Sequence, residues 1–114
     1  MARLTTLGFC AALLLSGCGP SVAETRENGI AEFQLGNHDG ARQLLQQVLD
    51  QRPYDPQALY YMGRAMYADG EYEKAIFYLQ SAVDAAPGNT DARTYLAKAE
   101  EAAGAAGPAL RFIP

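Results

Sequence analysis

The chain opens on an apolar run, Leu7 to Leu15 broken only by Gly8, and then turns into blocks where apolar residues recur at helical spacing. Ala41, Leu45 and Val48 fall three to four residues apart, as do Leu59, Met62 and Met66, and Ala75, Leu79 and Ala82. Each set lies on one face of a helix. Between the blocks stand Leu35-Gly36-Asn37, Arg52-Pro53-Tyr54-Asp55-Pro56, Asp69-Gly70-Glu71 and Ala86-Pro87-Gly88-Asn89. Gly36 and Gly70 supply the positive φ that ends a helix, Pro53 and Pro87 forbid its continuation, and Pro56 suits a first helical turn. The pattern predicts helices over 22–35, 39–52, 56–69, 73–86 and 90–103, an all-α fold.

The blocks repeat. Shifted by 34 residues, the chain places Gly29 on Gly63, Ala31 on Ala65, Gly36 on Gly70, Ala41 on Ala75, Leu45 on Leu79, Gln46 on Gln80, Asp50 on Asp84 and Pro53 on Pro87. These identities far exceed the roughly two expected from average residue usage. A period of this length marks a stacked helical-hairpin array. Gly29/Gly63, Ala31/Ala65 and Ala41/Ala75 are expected where helix backbones approach closely, with Leu45, Leu79, Tyr78 and Met62 filling the space between. A hairpin cannot bury its apolar face alone, so its neighbours must stack on it.

The second unit carries Leu59, Met62, Gly63, Met66, Tyr67, Gly70, Tyr72, Ala75, Tyr78, Leu79, Ala82 and Pro87, and closely resembles the tetratricopeptide repeat family. The first unit keeps Gly29, Ala31, Gly36, Ala41, Leu45, Val48 and Pro53 but has Thr25 and Asn28 where Leu59 and Met62 stand later. A fifth helix with Tyr95, Leu96, Ala97 and Ala99 in register looks like the cap that closes such arrays. The resemblance implies a solenoid of two units, 22–55 and 56–89, and a capping helix, 90–103. It also implies a concave side lined by the first helix of each pair, where a peptide or helix of another protein docks. Carried over residue by residue, that groove comprises Ala23, Arg26, Ile30, Phe33 and Gln34, then Gln57, Tyr60, Arg64, Tyr67 and Ala68, with Asp91, Thr94 and Lys98 from the cap. Phe33, Tyr60, Arg64 and Tyr67 stand out, because aromatics and arginine carry much interface energy, and Tyr60 and Arg64 lie four apart on one helix face. Phe33 and Tyr67 equally fit a role closing the core within each pair. The lysine and asparagine clamp by which some relatives hold a chaperone's terminal carboxylate is absent: the matching places read Arg26 with Ile30 and Tyr60 with Arg64.

The N-terminal apolar run is about half the 20 residues needed to span a bilayer and reads, with Arg3 before it, as a signal peptide over 1–17. Its ending, Leu15-Ser16-Gly17-Cys18, resembles the bacterial lipobox, which implies cleavage before Cys18 and a thioether-linked diacylglycerol on that residue. A plain secretory signal and a chance apolar start in a cytosolic protein are the alternatives. Lipidation would leave 18–21 as a tether of at most about 14 Å, and multiple acyl chains would hold the domain stably at a membrane. In proteins of this kind an aspartate after the cysteine signals retention in the inner membrane. Here that residue is Gly19, which favours the periplasmic face of the outer membrane. The other cysteine, Cys10, leaves with the signal, so no disulfide or zinc-type cluster can form in the mature chain.

The net charge is −4, and with the acidic excess spread over the repeats there is no basic cluster for nucleic acid or anionic lipid. No cofactor is expected beyond the covalent lipid, and no metal. His38, the single histidine, occupies the slot of Tyr72 and is expected to pack beside the turn. No set of groups converges for nucleophilic or acid–base catalysis, so an enzyme is not expected.

Residues 104–114, with Gly104 to Pro108 ill-suited to a helix, read as a flexible apolar tail ending Leu110-Arg111-Phe112-Ile113-Pro114. It frays, folds back or docks on a second molecule. The expected function is a membrane-tethered periplasmic adaptor that binds another envelope protein in its groove, in pilus or secretion-system assembly. The alternatives are a structural, self-associating envelope lipoprotein and an accessory factor in outer-membrane-protein assembly.

Overall fold

The structure, a computed structural model, describes residues 19–111, with side chains as far as 105. The expected signal segment over 1–17, Cys18 and residues 112–114 lie outside the described residues. Five helices are present among the described residues: α1 Val22–Gln34, α2 His38–Gln51, α3 Pro56–Ala68, α4 Tyr72–Ala85 and α5 Thr90–Arg111. The chain is all-α, in a tetratricopeptide-type solenoid of two hairpins and a final helix.

Local chemistry sets each boundary. Ser21 and Glu24 form a reciprocal capping box at α1, with Ser21 Oγ accepting from the Glu24 amide at 3.1 Å and Glu24 Oε2 accepting from the Ser21 amide at 3.0 Å. Asn37, Asp55 and Asn89 accept amides of the first turns of α2, α3 and α5 at 3.1, 3.0 and 3.1 Å. The first hairpin turn closes through Gly36, at φ +87°, where the Asn37 amide reaches back to the Glu32 carbonyl at 2.9 Å. The second repeats it through Gly70, at φ +80°, with Glu71 reaching Met66 at 2.9 Å. Arg52 and Ala86, each before a proline, sit at nearly the same extended φ, −132° and −141°.

Each helix packs on the next, and α1 also meets α3, as α3 meets α5. The backbones of α2 and α4 stand apart, so the odd-numbered helices crowd together along the inner side of the curve. The small residues mostly fall where the close approach was expected. Ala41, Ala65 and Ala75 are fully buried, with Leu45, Val48, Leu79 and Ala82 beside them. A Cβ added at Gly63 would lie 2.6 Å from Leu79 Cγ, and one at Gly29 would lie 3.1 Å from Leu45 Cγ. Thr25 fills the buried Leu59 slot in the degenerate first unit, satisfying its hydroxyl by donating to the Ser21 carbonyl at 3.0 Å.

Two expectations need correction. Ala31 is exposed, unlike its equivalent Ala65. Among the described residues, helix α3 packs against helices on both sides, whereas no helix precedes α1. The last helix does not stop at 103; its backbone continues through Gly104 and Gly107 to Arg111. It runs past Gly104, Gly107 and Pro108, residues of low helix propensity, with the strong helix formers Ala105, Ala106 and Ala109 between them.

Candidate protein-interaction groove

Along the inner side, aromatic rings of α1, α3 and α5 form a continuous row, ended by His38 of α2 and Tyr72 of α4. His38 stacks on Phe33 at 5.1 Å, and Phe33 meets the edge of Tyr61 at 5.6 Å. Tyr61 meets Tyr60 at 5.0 Å, and Tyr60 meets Tyr95 at 6.1 Å. Tyr95 continues to Tyr67 at 6.0 Å, and Tyr67 to Tyr72 at 5.5 Å. Edge-to-face pairs of this kind add about 0.5–1.5 kcal/mol beyond the area they bury.

Arg64 sits at the centre of the row. Its guanidinium carbon lies 4.5 Å from the Tyr95 centroid, 4.9 Å from Phe33, 5.5 Å from Tyr60 and 5.7 Å from Tyr61. Three successive inner helices thus converge on one cation, whose attraction to ring faces ties the units together. Its Nε is buried and has no hydrogen-bond partner among the described residues. Lys98 Nζ lies 4.7 Å from the same Tyr95 ring.

The expected groove residues therefore separate into distinct roles. Phe33, Arg64 and Tyr67 are half-buried members of the row, Lys98 and Gln57 are exposed along it, and Ile30 is half-buried on α1. Tyr60 is only 8% exposed and forms the floor of the groove; burial raises its phenol pKa, against the opposing pull of Arg64. Arg26 points elsewhere: its Nη1 donates to Asp55 Oδ2 at 2.7 Å, so its charge is already matched. Ala23, Gln34, Ala68, Asp91 and Thr94 are exposed small or polar positions. Phe33 and Tyr67 act both within their own hairpins, on His38 and Tyr72, and between units. His38 packs beside the turn, its Nδ1 3.7 Å from Asp69.

Tyr61 and Tyr95 escaped the sequence reading of the groove, although they stand one 34-residue period apart. That shared register was the signal available. Groups able to hold a metal ion are absent among the described residues, and no described helix is long and apolar enough to cross a membrane.

Hairpins stacked at a fixed period around an aromatic inner face define a helical solenoid of the protein-binding kind. The model of the tetratricopeptide repeat matches residues 26–90, and the chain belongs to that family. Tetratricopeptide arrays are protein–protein interaction modules and generally carry no catalysis. No curated protein matches the chain significantly.

Proposed function

We propose that this protein is a non-catalytic adaptor, tethered to a membrane on the periplasmic side through lipidated Cys18, that holds a segment of another envelope protein along its inner face. The observation that carries the reading is the convergence of Phe33, Tyr61 and Tyr95, from three different helices, on Arg64. Such a surface is set by the stacking of the units, so a docked segment contacts both repeats and the final helix together. Aromatics and arginine with restricted freedom suit binding, since little side-chain entropy is lost on docking. The lipobox resemblance supports the tether, and Gly19 after the cysteine supports the outer membrane. Pilus or secretion-system assembly is the process such a tethered adaptor fits best.

A photo-crosslinking residue placed at Gln57, exposed on α3, and expressed in intact cells tests the groove. A discrete adduct is expected from Gln57 and not from Gln80, exposed on α4. Adducts from Gln80 alone would overturn the groove assignment. Labelling with a fatty acid that disappears in Cys18→Ser tests the tether, and persistence of the label in that variant would remove it.

A further inference from the structure

We infer that the array stands on the bilayer by one edge, formed by Ser21 and the connectors 52–55 and 86–89, with the Tyr54 ring seated among zwitterionic lipid headgroups. The inference rests on the lipid tether at Cys18 proposed above and names the surface that the tethered chain turns toward the membrane.

Topology gathers this edge. The two hairpins close through Gly36 and Gly70, so the starts of α1, α3 and α5 and the ends of α2 and α4 fall together at the other end of the helices. Two bonds fasten the segments there: Arg26 of α1 donates to Asp55, the N-cap of α3, at 2.7 Å, and Arg93 of α5 donates to the Pro87 carbonyl. The proposed anchor lies at the same end. Ser21 caps α1 and stands three residues after Cys18, so the reach from lipid to fold is at most about 14 Å. Helix α1, with 13 residues, then carries the chain about 20 Å away to the Gly36 turn.

Exposure identifies the side chain that meets the lipid. Among the described residues, the exposed large hydrophobic side chains are Leu35, Tyr54 and Phe77, at 81, 80 and 66%. Leu35 belongs to the far edge and Phe77 to the middle of α4. Tyr54 alone of the three stands on the tethered edge, where a bilayer covers it. Its ring offers apolar carbon and its hydroxyl keeps a polar contact, a combination suited to the headgroup level. Arg52, exposed two residues before it, brings a guanidinium whose planar fork matches lipid phosphate. The acids of this edge divide: Asp55 is matched by Arg26, while Glu24, Asp50, Asp84 and Asp91 are exposed. Charges of both signs fit a surface that carries phosphate and ammonium together, and the exposed acids disfavour a strongly anionic one. In this stance the helices run along the bilayer normal, and the aromatic row, which crosses them, runs along the membrane plane. A docked segment then lies parallel to the membrane.

The sequence holds no tryptophan, so a single introduced one reports its own depth. Tyr54→Trp and Leu35→Trp, both at exposed sites away from the core, are made in the full chain, purified in lipidated form and reconstituted into vesicles of phosphatidylcholine and phosphatidylethanolamine. Lipids brominated near the carbonyl end of their acyl chains are expected to quench the Tyr54→Trp emission at least about twofold and to leave that of Leu35→Trp nearly unchanged, as interfacial seating of the first site alone requires. Equal quenching at the two sites, stronger quenching in Leu35→Trp, or none in Tyr54→Trp would each overturn the inference. Fatty-acid labelling of the same preparations separates the two readings: label without quenching in Tyr54→Trp leaves the tether and removes the stance, whereas absence of label removes both.

Discussion

Arg26, on the first helix, donates from Nη1 to Asp55 Oδ2 at 2.7 Å, while Asp55 Oδ1 accepts the Ala58 amide at 3.0 Å and caps α3. One carboxylate therefore starts the second unit and fastens it to the first. Its side chain is 4% exposed and that of Arg26 is 21% exposed. Asp55→Ala removes a cap and leaves the arginine unmatched, which should cost about 2–4 kcal/mol. Asp55→Asn keeps an acceptor for the cap and should cost about half as much. Urea unfolding of the two variants beside Arg26→Ala measures this, and a double-mutant cycle isolates the cross-unit pair.

The two close-approach glycines differ in how much space remains. At Gly63 a methyl group would sit 2.6 Å from Leu79 Cγ and 3.3 Å from the Leu79 backbone nitrogen, and Leu79 is fully buried. At Gly29 the nearest atoms are Leu45 Cγ and Cδ2, both at 3.1 Å. Overpacking costs about 1–3 kcal/mol, against a gain of about 1 kcal/mol from replacing a mid-helix glycine with alanine. Gly63→Ala should lower stability by about 1–2 kcal/mol, and Gly29→Ala should stay within about 1 kcal/mol of the parent. Melting temperatures of the two variants, compared side by side, check the order.

These two cases also mark what the sequence could convey. Gly63, Ala75, Leu79 and the proline-marked turns were legible because the 34-residue period repeats a packing requirement in the letters themselves. Ala31 was not, since its identity matches Ala65 while, among the described residues, no earlier helix packs on α1 as α1 and α2 pack on α3. Arg26 belonged to an expected groove position, yet its partner Asp55 lies 29 residues on, in a turn whose role as cap hides its second role as counterion. Tyr61 and Tyr95 matter through their rings' convergence on Arg64, and that depends on how three helices cross. The continuation of α5 past 103 went unread because Gly104, Gly107 and Pro108 signal a stop more strongly than the intervening alanines signal a helix.

Glu71 begins α4 without capping it, because its carboxylate is engaged at 2.8 Å by Lys74. The hydrogen bond from Lys74 and its charge, helped by Arg42, hold the Glu71 pKa below the ordinary carboxyl value, and the same contact raises that of Lys74. A depressed carboxyl pKa contributes stability that is present above the ordinary value and lost as pH falls through the lowered one. Both groups are solvent-exposed, so the effect on stability is small and screened by salt. In an NMR titration Glu71 should protonate below the ordinary carboxyl range, and Lys74→Gln should move it back toward the ordinary value. An unchanged titration in that variant would show that the pair does not persist in solution.

Tyr60 separates folding from binding. It is 8% exposed and bears on Tyr61 and Tyr95, so Tyr60→Ala should cost about 3–5 kcal/mol, close to the whole stability of an array this short, of order 5 kcal/mol. Loss of a partner in that variant would report unfolding rather than a missing contact. Tyr60→Phe keeps the ring and should leave stability within about 0.5 kcal/mol. It also removes a phenol whose pKa burial has raised. Because the folded state favours the neutral form, the parent's stability is full below the ordinary phenol range and falls as pH rises through it. Tyr60→Phe should flatten that alkaline decline in a pH series of urea midpoints. Equal declines in parent and variant would assign the loss to other groups.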